Sequence, residues 1–430
     1  MSSSHRHVNK RTGALVGGAA AALLAAAIVL PRADASTERP RSPRAFSAES
    51  AARTASSLKA DLGAERTAGW YLDAGSGRLV MNVLSADDAG AVEERGAVPR
   101  VVRNSTKELR AVTRTLGATA ALPGTAWSID PRTNRVSVLA DRTVTGEKLA
   151  ALGKAVEAVG DGMVSVKRSA GEFRRYDGGG SGGGVGGAGG GDGGDGGGDA
   201  GVGALPIGGS AIFGGDARCS LGFNVTLQGA PAFLTAGHCG KGSATWSADQ
   251  AGARPLGTVA DAQFPGSDFA LVTYDDPGAR PESAVGLRNG GTQQISRAAE
   301  AAVGMRVQRS GSTTGLSDGT VTGLDATVNY GNGDIVNGLI QTDVCAEPGD
   351  SGGSMFSGDA AMGLTSGGSG DCTRGGETFF QPVTKALEAT GAEIGQGGGG
   401  AADGGGGVAN GGGGAATGGS DTDGNSSAGT

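Results

Sequence analysis

Residues 205–394 read as an all-β domain, a sandwich or a barrel, preceded by a small α+β domain and flanked by glycine-rich segments. Three observations predict this. Short runs such as "SLGFNVTL", "PAFLTA", "DFALVTY", "GMRVQRS", "GTVTGL", "ATVNYG" and "AAMGLTS" alternate or are apolar, with Gly, Asp or Asn turns between them. The one helix-like stretch there is "PVTKALEAT", near the domain's end. And much of the glycine of this 430-residue chain, which has 86 in all, lies in two blocks that have too little apolar area to build a core, so the folding part is smaller than the length suggests.

Taken in order, residues 1–35 have the pattern of a signal peptide. His5, Arg6, Lys10 and Arg11 form a basic start, "ALVGGAAAALLAAAIVL" an apolar middle, and "ADA" at Ala33–Ala35 a small-residue cleavage site. A membrane anchor is the competing reading, but the run is only weakly apolar and a cleavage site follows at once. Residues 36–177 are charged and free of cysteine. "AESAARTASSLKADLG", "TKELRAVTRTL" and "TGEKLAALGKAVEAVG" have helical spacing, "GRLVMNVLS" alternates as a strand, and "DPRTNRVSVLA" is a turn entering a strand. Residues 178–204 form an acidic glycine linker, and residues 395–430 a second glycine-rich block that reads as a disordered tail.

A formal net charge of −7 with no long basic run argues against nucleic-acid binding. Export permits disulfides. The spacing of the four cysteines suggests two local loops, Cys219–Cys239 and Cys345–Cys372, each stabilising by roughly 3 kcal/mol on the loop-entropy model. A metal site is disfavoured, since there is no CxxC pair and only one histidine nearby.

That histidine is His238, in "LTAGHCG"; His5 and His7 leave with the signal. Ser351 lies in "CAEPGDSGGS", where Gly349 and Gly352 let backbone amides converge on one point, as an oxyanion hole requires. A serine hydroxyl needs a base to take its proton, and the base needs a carboxylate to fix its tautomer. Of the carboxylates between His238 and Ser351, Asp268 is the best candidate, because in "SDFALVTY" it opens an apolar strand. Asp275 and Asp276 precede a proline in a turn and should be solvated. The order His, Asp, Ser is that of the chymotrypsin arrangement.

On "CSLGFNV", "FLTAGHC", "GSTTG", "ATVNYG", "CAEPGDSGG", "GLTSGGSG" and "TFFQPV", residues 205–394 resemble the streptogrisins, secreted bacterial serine proteases of the chymotrypsin clan close to alpha-lytic protease. "GWYLDAGSGRLVMNV" and "LPGTAWSIDPRTNRVSV" resemble the propeptides of the same enzymes. The resemblance implies two antiparallel Greek-key β-barrels with the site between them. His238 and Asp268 come from the first and Ser351 from the second, with an oxyanion hole from the N–H groups of Gly349 and Ser351. It implies a buried ion pair between Arg309 and Asp350, and a propeptide (36–177) that acts as foldase and inhibitor. It also implies a specificity pocket lined by Ala346, Glu347 and Pro348 on one side and Ser366, Gly367 and Gly368 on the other. Ser354 stands where many clan members have proline, and alpha-lytic protease is similar to this chain there.

The resulting expectation is a secreted, monomeric serine endopeptidase. It acts on protein and peptide substrates, needs no cofactor or metal, and has no membrane association once the signal is removed. Release falls between the linker and "IGGSAIF", and cleavage follows large apolar residues. Asp343 offers an alternative, trypsin-like specificity. Glutamate specificity is disfavoured because no histidine follows His238. Two rivals are an inactive protease fold that only binds, and a surface protein suggested by the tail.

Overall fold

The computed structural model describes residues 44–160, 162–176 and 204–395. The expectations for the signal segment, the glycine linker and the tail fall outside these residues, apart from Ala204 and Gly395.

Two β lobes make up the later part. The first is an eight-stranded antiparallel sheet in which Phe223–Leu227, Ala230–Thr235, Phe269–Tyr274 and Pro255–Gln263 lie side by side. Alternation along these strands sends Phe233, Val272 and Tyr274 inward to meet Ile212, Leu221, Trp246 and Leu256. In the second lobe, Arg306–Gly311, Ser354–Ser357, Ala360–Gly368, Thr378–Pro382, Ile335–Thr342 and Gly315–Asn329 pair in that order. The last strand returns to Arg306–Gly311, so the sheet closes on itself. Val307, Val321, Ile340, Met355, Met362 and Phe380 fill its interior. The helix expected in "PVTKALEAT" is Val383–Thr390; beyond it Ala392–Glu393 crosses back to pair with Thr226 and Leu227 of the first lobe.

The preceding α+β part has two small cores. Helix Ala48–Leu62, with Ser47 capping the Ser50 N–H, packs Leu58 on Leu79 and Met81. Helix Thr106–Thr119 starts with a reciprocal capping box between Ser105 and Glu108, and the hydrogen bonds from Ser105 lower the Glu108 pKa. Its Leu109, Val112 and Leu116 pack with Trp127, Val136 and Val138. Strand Thr125–Asp130 then lies antiparallel to the outer half of Gly315–Asn329, in the register Thr327↔Trp127 and Val328↔Ala126. A single sheet therefore runs from the second lobe into the α+β part. "GTVTGL" and "ATVNYG", which read as two runs, are one 15-residue strand with register shifts and a positive φ (50°) at Asp325.

Candidate active site

His238 lies in a short helical turn, Gly237–Gly242, directly after strand Ala230–Thr235 and beside the Cys219–Cys239 disulfide. Asp268 immediately precedes strand Phe269–Tyr274. Its carboxylate accepts from the backbone N–H of His238 (2.9 Å) and meets Nδ1 at 2.9 and 3.0 Å. His238 Nε2 is 2.8 Å from Ser351 Oγ, across the join between the lobes. Asp268 and Ser351 are fully buried and His238 nearly so. Burial opposes ionisation of Asp268, but the charge and hydrogen bonds of His238, with a further bond from Ser366, outweigh it and hold the carboxyl below its usual range.

The loop before Ser351 is fixed from several sides. Ser220 donates its N–H to the Ser351 carbonyl (2.7 Å) and its hydroxyl to that of Gly349 (2.8 Å). Gly349 has φ +102°, a conformation strained for other residues, and its Cα faces the side chains of Thr313 and Arg218. Asp350 is fully buried; it accepts from the N–H groups of Thr313, Thr314 and Glu347 and lies 3.2 Å from Arg309 Nη1. Arg309, also fully buried, further donates to the carbonyls of Cys345 and Gly315 and to Ser317. The second disulfide, Cys345–Cys372, closes the far side of the loop.

A segment of the chain itself occupies the cleft. Arg174 and Arg175 pair antiparallel with Gly368 and Gly367, the Tyr176 N–H donates to the Ser366 carbonyl (3.5 Å), and the Gly349 N–H donates to the Tyr176 carbonyl (2.5 Å). The Tyr176 ring is buried, and desolvation pushes its hydroxyl pKa far up, against the effect of nearby Thr378. A Cβ on Gly368 would come within 2.7 Å of that hydroxyl, so the absence of a side chain there makes room for the ring. The segment thus pairs as an added strand along Ser366–Gly368, with its last carbonyl at the amide expected to stabilise an oxyanion.

The other expected pocket residues divide. Ala346 is buried. Glu347 is half-buried, with its carboxylate accepting from the Cys372 N–H, and Pro348 offers its carbonyl to the Thr313 hydroxyl. Ser366 contributes its backbone to the bound segment, whereas its hydroxyl serves Asp268 and meets Tyr330 Oη (3.1 Å). Asp343 is exposed and accepts the Thr320 N–H. The sequence did not single out Ser220, Tyr330 or Gln381, whose Oε1 accepts the Asp268 N–H (2.8 Å). All three lie in stretches that carry the family resemblance, "CSLGFNV", "ATVNYG" and "TFFQPV", which was the one signal available for them.

Known proteins carry the same organisation. Residues 40–102 match the family described as alpha-lytic protease pro N-terminal, residues 104–160 the alpha-lytic protease prodomain, and residues 208–390 trypsin. Streptogrisin-D of Streptomyces griseus is 47% identical over 392 residues, 91% of this chain and 92% of the relative. The chain belongs to the streptogrisin and alpha-lytic family of serine proteases. Within that family, serine protease 1 of Streptomyces fradiae is 39% identical over 90% of this chain and 99% of its own length. Glutamyl endopeptidase 2 of S. griseus is 48% identical over 44% of this chain and 98% of its own. The family membership makes the α+β part a prodomain and the β lobes a chymotrypsin-like serine peptidase.

Proposed function

We propose that this chain is a secreted pre-pro-endopeptidase that cuts after large aromatic or apolar residues through Ser351, His238 and Asp268. The observation that carries the reading is Tyr176, with its ring buried and its carbonyl on the Gly349 N–H. Ser351 Oγ attacks the scissile carbonyl while His238 Nε2 takes its proton. The N–H groups of Gly349 and Ser351 receive the oxyanion, and His238 then protonates the leaving amine. Asp268, held ionised, orients His238 and stabilises its cation. A water repeats the sequence on the acyl-enzyme. Asp343 supports a basic preference poorly, because it is exposed and engaged with Thr320.

The seated segment bears on maturation as well. The glycine linker of residues 178–204 suggests release between it and Ile207, but Tyr176 favours the Tyr176–Asp177 bond, with residues 36–176 leaving as foldase and inhibitor. Intact mass and N-terminal sequence of the secreted product test this for the wild type and for Ser351→Ala. A wild-type product beginning at Asp177, with the variant uncut and inert to a phosphonylating serine probe, is the expected result. A Ser351→Ala variant that hydrolyses peptides at near wild-type rate would remove Ser351 from its role.

A further inference from the structure

The position before Tyr176 is held by a second, chemically distinct set of groups. Arg175 Nε lies 3.4 Å from Asp334 Oδ2, and its guanidinium stands 5.5 Å from the centre of the Phe264 ring. Phe264 is packed edge-on against His238 at 5.7 Å, so this subsite borders the catalytic histidine. The two subsite residues come from different lobes, yet their loops are laced together. Gly266 donates to the Ile335 carbonyl (2.8 Å) and accepts from the Asn337 N–H (2.9 Å). Asp334 is further fixed by its own turn, accepting the Tyr330 N–H at its carbonyl and donating to the Gly331 carbonyl. An aromatic face and a carboxylate on a braced turn form a receptor for a planar cation.

We propose that Asp334, with Phe264, makes the enzyme prefer a basic residue, arginine above lysine, immediately before the residue whose carbonyl is attacked. The inference rests on the reading of Tyr176 as a seated substrate. The substrate class is then an unfolded or extended segment with an Arg-aromatic pair. Both charged side chains are partly exposed, so the effect is modest, about fivefold in kcat/KM for Arg over Ala at low salt. The test uses enzyme secreted and processed from the full chain and four peptides ending in Arg-Tyr, Lys-Tyr, Ala-Tyr and Asp-Tyr before a leaving group. The expected order is Arg, Lys, Ala, Asp. The Arg/Ala ratio should shrink as salt rises, approach 1 in Asp334→Asn and fall below 1 in Asp334→Lys. Equal rates for Arg and Ala peptides, or a ratio untouched by Asp334→Asn, would mean that the contact serves prodomain docking alone and would overturn the proposal. The salt series on wild-type enzyme keeps it refutable if a variant does not fold. Failure to cut any of the four while cutting other peptides would instead overturn the reading beneath it, and this inference with it.

Discussion

The backbone N–H of Gly349 donates to the carbonyl oxygen of Tyr176, so the last described residue of the prodomain lies at the amide two positions before Ser351. On the reading proposed above, a prodomain seated this way fills the site until its own bond after Tyr176 is cut. Processed enzyme freed of residues 36–176 should be inhibited by the synthetic peptide Phe-Arg-Arg-Tyr with a free carboxylate, competitively with substrate. Inhibition by Phe-Arg-Arg-Gly is expected to be at least about tenfold weaker, since burying the ring contributes roughly 1.5–3 kcal/mol. Equal inhibition by the two would deny the pocket its role.

The pocket makes a pH prediction. The Tyr176 hydroxyl pKa is raised on burial, so the pocket accepts the neutral phenol. Free tyrosine ionises near about 10. Binding is therefore complete below that pH and is lost as pH climbs beyond it, toward the raised value in the pocket. The ratio of kcat/KM for tyrosyl to phenylalanyl peptides should be flat to pH 9 and fall above about 10. A ratio constant through pH 11 would contradict a dry pocket.

Asp268→Asn should lower kcat by about 10⁴-fold with little change in KM, because the amide cannot hold His238 in the productive tautomer. The carboxylate meets both the backbone and the ring of His238, so geometry should survive while proton transfer fails. Steady-state kinetics on one peptide check this, and a loss confined to KM would reassign Asp268.

Arg309 and Asp350 test the loop's foundation. Removing one partner of a fully buried pair leaves an uncompensated charge, at a cost of about 3–5 kcal/mol. In a Ser351→Ala background, which prevents autolysis, Arg309→Met should lower the urea midpoint accordingly. The double variant Arg309→Met/Asp350→Asn should recover part of the loss. Strict additivity would show that the two residues act separately.

Much of the candidate site, the three side chains that the structure brings within hydrogen-bond distance, was legible because it sits in short loops with strong local chemistry. "TAGHC" and "GDSGG" announce His238 and Ser351, and Asp268 is marked by its place at the start of an apolar strand. What was hidden depends on pairing between distant segments. Ser366 lies beside a register shift between Thr365 and Gly367, and such an irregularity can turn a side chain away from the face that alternation assigns it. Here its hydroxyl serves Asp268, although the residue was expected to line the pocket. Tyr176 ends a charged run, and nothing local distinguishes it; its meaning lies in Gly349, far along the chain. The continuity of Gly315–Asn329 was concealed by Asp325, whose turn-like backbone looks like a break.

That strand has a consequence for the enzyme's later life. While the prodomain is bound, Leu324–Asn329 has hydrogen-bonded neighbours on both sides. If the prodomain leaves as proposed, departure of Thr125–Asp130 bares one side as a row of peptide groups without a strand partner, the kind of surface on which chains stack into aggregates. The irregular backbone at Asp325 and its carboxylate then become a safeguard, since a kinked, charged border offers a poor template to another strand. On the maturation proposed above, the interruption that hid the strand from view in the sequence is what keeps the released protease from pairing edge to edge.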